Sequence, residues 1–148
     1  MKTGIIVIDP GHGGTENIGG SDANHAVSAL GDLEKNLTLE ICKLLVIELQ
    51  LKKHQTFLTR ESDINLSLRD RANLAKSTNA DVFISIHFNG WNDTTTQGTE
   101  TYVHLEANKD SALLASFIQQ RLVSVTKYKD RGVKAMQLGV LNPNLSSL

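Results

Sequence analysis

The sequence lacks several features, and each absence narrows the range of possible functions. A single cysteine among 148 residues excludes an intramolecular disulfide. No apolar run approaches the roughly 18 residues of a membrane-spanning helix, so no membrane insertion is expected. With 15 basic and 16 acidic side chains the net charge is -1, and no basic stripe suggests a nucleic-acid partner. An apolar share of 40% and a charged share of 21% are those of an ordinary globular protein.

Short apolar segments alternate with amphipathic segments along the chain. Four segments are predicted as strands: residues 4–9, 55–60, 80–89 and 98–105. Three are predicted as helices: residues 33–53, 65–77 and 109–125. A short strand is also predicted around 138–141. This alternation predicts a single α/β domain, with a twisted, largely parallel (mixed) sheet and helices on both faces.

The first predicted helix, "LEKNLTLEICKLLVIELQLKK", has features that predict its start and its buried face. Asp32 precedes it and is a residue type that caps helix starts. Its leucines and isoleucine fall at helical spacing. The residues predicted to face the core are Leu37, Ile41, Leu44, Leu45 and Leu49.

The first strand ends in a glycine-rich loop, "IDPGHGG", and two interpretations compete for it. The loop could cradle a phosphate with its backbone, or it could present His12 to a metal. "GHGG" lacks the GxGxxG spacing, and no Lys-Ser/Thr pair follows it. The pattern therefore disfavours the phosphate interpretation.

A second strand, "FISIHFN", ends in His87. The carboxyl ends of parallel strands share one edge of a sheet, and Glu34 begins a helix on the same side. Two imidazoles and a carboxylate are a typical zinc ligand set, with a water in the fourth position. The sequence therefore predicts a zinc site of His12, Glu34 and His87. The alternative is two hydrogen-bonded histidines and a surface carboxylate.

Other polar residues lie near this predicted edge. Asn89, two residues beyond His87, either contacts substrate or closes the strand. Trp91 follows in a polar loop, where it would stack on a sugar or hold the loop to the core. A group of charged residues is expected to form internal anchors more readily than substrate contacts: Arg60, Asp63, Arg69 and Arg71.

The ordered segments "IVIDPGHGG", "EK", "FLTRESD", "SLRDRANLA", "ADVFISIHFN", "GTETYV" and "DRGVK" resemble those of a known family. They are similar to the zinc-dependent N-acetylmuramoyl-L-alanine amidases of the AmiC/CwlC-like class, which hydrolyse peptidoglycan. The resemblance covers nearly the whole chain. It implies that zinc binds to His12, Glu34 and His87, and that the amide between N-acetylmuramic acid and L-alanine is cleaved.

The chain departs from the family at its end. The family carries a late glutamate that resembles a general base, whereas no glutamate follows Glu106 here. We therefore expect residues 1–148 to be an amidase catalytic domain without its C-terminal strand and helix, and the catalytic base stays unknown. The alternative is a zinc-retaining but inactive cell-wall binding or regulatory module.

The resemblance also implies where the protein acts. Its partner would be peptidoglycan, so it would act extracellularly, in the periplasm or in the cell wall, and as a monomer. The chain shows no signal peptide, which fits a phage lytic enzyme, a mother-cell enzyme or a trimmed domain.

Overall fold

The computed structural model describes residues 3–90 and 95–142. They belong to two compact units, the first within Met1–Gly90 and the second within Trp91–Asn142. Each unit combines parallel strands with helices, which confirms the predicted α/β class. All pairings between the described strands are parallel. In the described part of the chain, no helix combines the length and apolarity needed to cross a membrane.

The first unit is a three-stranded parallel sheet with two helices. Its strands are β1 (Ile5–Pro10), β2 (Gln55–Leu58) and β3 (Val82–Ile86), in the order β2-β1-β3. Its helices are α1 (Glu34–Leu51) and α2 (Leu68–Ser77). The β-branched run of β1 suits a central strand, because such side chains pack well on a pleated surface.

The two helices of this unit lie on opposite faces of β1. Ile6 and Ile8 pack with Cys42 of α1 in the core. Asp9 points to the other face, since successive strand residues alternate, and there it pairs with Arg71 of α2. Full burial of an isoleucine side chain contributes about 1.5–3 kcal/mol. The prediction of helices on both faces is therefore confirmed for this sheet.

The second unit is a β-α-β arrangement. Strands β4 (Thr99–Val103) and β5 (Asp130–Ala135) pair in parallel, and helix α3 (Lys109–Thr126) connects them. The prediction of a strand at 138–141 is wrong, because Gly139–Leu141 forms a 3-10 helix. Strand β5 was not predicted, because its sequence DRGVKA is largely polar and exposed.

Helix α1 differs from its prediction in its cap and its buried face. Leu33 occupies the N-cap position, whereas the Asp32 carboxylate accepts a hydrogen bond from Ser28. Leu45 and Leu49 pack on the core, but Ile41 and Leu44 are 41% and 58% exposed. The buried positions in the first half of the helix are polar: Glu34, Lys35 and Thr38. They contact the loop after β1, so the buried positions in this half of the helix are polar.

Candidate metal centre

Three elements of the first unit each contribute one residue to a cluster at the sheet edge. The final residues of β1 and β3, Pro10 and Ile86, are register partners. His87 directly follows the end of β3, His12 lies two residues beyond the end of β1, and Glu34 is the first residue of α1. Among the described residues they form a group of side chains that could hold a metal ion. The structure thus brings together the three residues that the sequence predicted.

The three possible ligand atoms form a nearly equilateral triangle. Glu34 Oε1 lies 3.1 Å from His12 Nε2 and 3.1 Å from His87 Nδ1. The two histidine nitrogens are 3.2 Å apart. Ligands at roughly 2.0–2.1 Å around a tetrahedral ion are separated by about 3.3 Å. The triangle therefore has the dimensions of one face of a zinc coordination tetrahedron.

Backbone groups orient the buried ligands. His12 Nδ1 lies 3.0 Å from the carbonyl oxygen of Asp22. A carbonyl only accepts, so Nδ1 carries the proton and Nε2 of the neutral ring presents a lone pair to the cluster. Glu34 Oε1 accepts from the Phe88 N–H at 2.9 Å, and Oε2 accepts from the Ala26 N–H at 3.0 Å.

The cluster is enclosed on one side and open on the other. The Glu34 side chain is 1% exposed and the His12 side chain 10%. The His87 side chain is 43% exposed. Solvent or a substrate therefore reaches the cluster at His87, while Glu34 and His12 lie behind it.

The electrostatics of the cluster favour an ionised Glu34. Burial by itself raises the pKa of this carboxyl, but hydrogen bonds from His12, His87 and the Phe88 N–H outweigh it and lower the pKa to about 2. For His12, burial lowers the pKa, and the Glu34 carboxylate with the Asp22 carbonyl reverses the effect and raises it. The cluster therefore offers a carboxylate that attracts positive charge, from either a proton or a metal cation.

The loop between β1 and the cluster has an unusual backbone. His12 has a φ of 62°, in the left-handed region that most residues avoid. Gly13 has a φ of 138°, and a Cβ there would lie 2.0 Å from the Ile64 carbonyl oxygen. A Cβ on Gly11 would lie 2.4 Å from His87 Cε1. Gly11 therefore provides the space that the His87 ring occupies.

The structure describes two of three further residues in the segments around the cluster. His25 is exposed, and its ring stacks on that of His12 with ring centroids 6.2 Å apart. No sequence spacing signals this contact. Asn89 is exposed beyond β3, and its substrate contact stays a prediction. Trp91 lies outside the described residues.

The expectation of internal anchors is confirmed for three of the four charged residues. Arg71 pairs with Asp9 at 2.7 Å, and Asp63 pairs with Lys35 at 2.8 Å. Arg60 is 2% exposed and donates to backbone carbonyls.

Comparison with known proteins gives consistent results. The family model described as N-acetylmuramoyl-L-alanine amidase matches residues 6–147. The chain is 37% identical over 139 residues to N-acetylmuramoyl-L-alanine amidase LytC of Bacillus subtilis, covering 92% of this chain and 26% of that protein. It is 35% identical over 146 residues to the endolysin of Bacillus phage SPP1, covering 93% of this chain and 49% of that protein. The chain thus spans half or less of these two relatives.

A solved structure extends the comparison to the fold. The crystal structure of N-acetylmuramoyl-L-alanine amidase from Clostridium difficile 630 matches with a TM-score of 0.83 and 37% identity. The match covers 94% of this chain and 73% of that one.

Proposed function

The chain belongs to the N-acetylmuramoyl-L-alanine amidase family, and from this membership we propose that it hydrolyses the amide between N-acetylmuramic acid and L-alanine in peptidoglycan. The reaction would use Zn²⁺ bound by His12, Glu34 and His87. The observation that carries the proposal is the triangle of ligand atoms, with sides of 3.1, 3.1 and 3.2 Å.

The donor set favours zinc over harder cations. Two imidazole nitrogens and one carboxylate oxygen are typical zinc ligands, whereas Mg²⁺ and Ca²⁺ prefer sites built from oxygen. Three protein ligands leave a coordination position for water or substrate, as in catalytic rather than structural zinc sites. The exposed side of the cluster at His87 fits that requirement.

The residues at the cluster have distinct parts in this proposal. A bound zinc ion would polarise the scissile carbonyl and lower the pKa of a water molecule. Glu34 would offset part of the metal charge, and the Phe88 and Ala26 N–H groups fix its carboxylate. The Asp22 carbonyl holds His12 in the tautomer that exposes Nε2. The general base that moves the proton to the leaving amine stays unassigned among the described residues.

The same assignment implies a site of action. Peptidoglycan lies outside the cytoplasmic membrane, so the protein would act in the cell wall, the periplasm or the extracellular space. The amidase and endolysin names of its relatives support this location. We expect the protein to act as a monomer.

The proposal is tested by incubating the zinc-loaded protein with purified peptidoglycan. We expect release of free stem peptides that begin with L-alanine, identified by mass, and loss of release after chelation. His87→Ala should abolish release. His54→Ala is the matched control, because it also removes a histidine side chain but away from the cluster. His54 accepts a hydrogen bond from the Gly4 N–H, before the start of β1.

Two outcomes would contradict the proposed reaction. Zinc binding without stem-peptide release would favour the zinc-retaining, inactive cell-wall module. Release of a different product would identify another amide as the scissile bond.

A further inference from the structure

The loop that carries His12 is held by side chains from three other segments. Four carbonyl oxygens of Pro10–Gly14 accept hydrogen bonds from cationic groups. Arg71 Nη1 donates to Pro10 O at 2.8 Å, and Arg71 Nη2 donates to His12 O at 3.0 Å. Arg60 Nη2 donates to Gly11 O at 2.9 Å. Lys35 Nζ donates to Gly14 O at 2.7 Å.

These three cationic side chains are almost completely buried. Arg60, Arg71 and Lys35 are 2%, 1% and 8% exposed. Arg71 and Lys35 each have a carboxylate partner. Arg60 forms no ion pair with any residue that the structure describes, and its hydrogen bonds go to neutral oxygens. Burial of an unpaired cation is unfavourable unless its donors are satisfied. The positions of the oxygens that accept hydrogen bonds from Arg60 therefore indicate its role.

Arg60 connects the segments that carry two of the three candidate ligands. Its Nη2 donates both to Gly11 O at 2.9 Å and to Lys35 O at 2.7 Å. Gly11 precedes His12, and Lys35 follows Glu34. A planar guanidinium can bridge two carbonyls in a fixed geometry, whereas an ammonium offers only a point charge. The spacing between the two ligands is thus set one residue away from each of them.

Thr38 strengthens the same bridge. Its Oγ1 donates to Gly11 O at 2.9 Å and accepts from Arg60 Nη2 at 3.2 Å. Arg60 Nε donates to Pro10 O at 3.1 Å, one residue further back along the loop. The left-handed His12 backbone lies within this network, which opposes its relaxation to a more common conformation.

We propose that Arg60 is a positioning residue that holds His12 and Glu34 at ligand spacing before a metal binds, while Arg71 fixes the His12 end through Pro10 O and His12 O. This role rests on the metal centre proposed above. Neither arginine contacts the open side of the cluster through any described hydrogen bond, so the role concerns metal affinity rather than the chemical step. Outer residues that orient metal ligands typically contribute 10–100-fold to affinity.

The test compares zinc affinities measured by competition with a chromophoric chelator. Arg60→Lys keeps the buried positive charge but cannot bridge Pro10 O, Gly11 O and Lys35 O together. We expect its zinc affinity to fall roughly 10–100-fold, a loss that a purely structural role of Arg60 would not produce. Leu49→Ala is the matched control. It removes core packing near the far end of α1 and should lower the melting temperature without changing zinc affinity.

The outcomes separate this proposal from the proposed reaction. Native zinc affinity in Arg60→Lys, or a loss no greater than in Leu49→Ala, would overturn the positioning role. If Arg60→Lys does not fold, Thr38→Val decides, because it removes the hydroxyl bridge and keeps the shape. A several-fold weaker affinity supports the proposal, and an unchanged affinity overturns it. A native protein that binds zinc but releases no stem peptide refutes only the reaction, and one that binds no zinc refutes both proposals.

Discussion

Gly11→Ala should remove His87 from the metal centre without unfolding the protein. The added Cβ would lie 2.4, 2.6 and 2.7 Å from the Cε1, Nδ1 and Nε2 atoms of His87. Ordinary van der Waals contacts begin at 3.4 Å, so the ring must retreat by about 1 Å. A coordinating nitrogen at roughly 2.0–2.1 Å would then lie about 3 Å from the metal, far beyond the tolerance of about 0.2 Å.

The fold should tolerate this substitution. Gly11 does not have a positive φ, so alanine introduces no backbone strain there. The His87 side chain is 43% exposed and has room to rotate toward solvent. Alanine also lowers the entropy of the unfolded chain, which contributes about 0.4–1 kcal/mol of stability. We therefore expect the free energy of unfolding of the metal-free protein to change by less than about 1 kcal/mol.

Zinc affinity distinguishes the loss of the His87 ligand from a general loss of stability. Loss of one of three protein ligands should weaken zinc binding at least ~100-fold, or about 2.8 kcal/mol. The assays are chelator competition for affinity and thermal unfolding in EDTA for stability. Gly4→Ala is the control, because it introduces a similar close contact, 2.9 Å from the Asp81 carboxylate, but before the start of β1 and not at the metal centre. Native zinc affinity in Gly11→Ala would refute His87 as a ligand.

Two further predictions concern stability. Gly13→Ala should destabilise the protein, because the φ of 138° at Gly13 and the Ile64 carbonyl oxygen at 2.0 Å leave no room for a Cβ. We expect a loss of at least about 3 kcal/mol, seen in thermal unfolding as a melting temperature lower by about 10 °C. A melting temperature within 2 °C of native (about 0.5–1 kcal/mol) would contradict this. In the second unit, burial raises the pKa of Glu100, but hydrogen bonds from Lys134, Tyr102 and Arg131 outweigh it and lower the pKa from 4.5 to about 2. Because the folded pKa is depressed, its contribution is complete above about pH 4.5 and is lost as the pH falls toward 2. Denaturant unfolding should therefore show Glu100→Gln to be about 1–2 kcal/mol less stable than native at pH 7, after allowance for solvent screening. This difference in stability should shrink below pH 4.5. A difference that stays constant from pH 7 to pH 2.5 would show that the ion pairs of Glu100 are not its source.

The sequence predicted the candidate ligands for a topological reason. β1 and β3 read as buried strands, and parallel neighbours end at the same sheet edge. His12 and His87 follow those ends, so their proximity needed only the strand order β2-β1-β3, which the structure provides. Glu34 followed from the rule that a helix after a strand begins near the edge where that strand ended.

Other sequence predictions failed where polar contacts replaced periodicity. The apolar pattern of α1 placed Ile41 and Leu44 inside, whereas the structure buries Lys35 and Thr38 to bind the loop after β1. The apolar run at 138–141 predicted a strand, but hydrogen bonds between residues three apart make it a 3-10 helix. Local patterns record the preferences of a segment, and these segments respond to contacts made elsewhere in the chain.

The sequence by itself determined the α/β class, the glycine-rich loop and the identity of the three candidate ligands, because periodicity and strand ends are local properties. Only the tertiary structure decided the spacing of the ligands, the space that Gly11 leaves for His87 and the bridge that Arg60 forms between Gly11 and Lys35. Those features join residues that are 22 to 76 positions apart. Hydrogen bonds and steric contacts of this kind depend on distances of a few tenths of an ångström, which no linear pattern specifies.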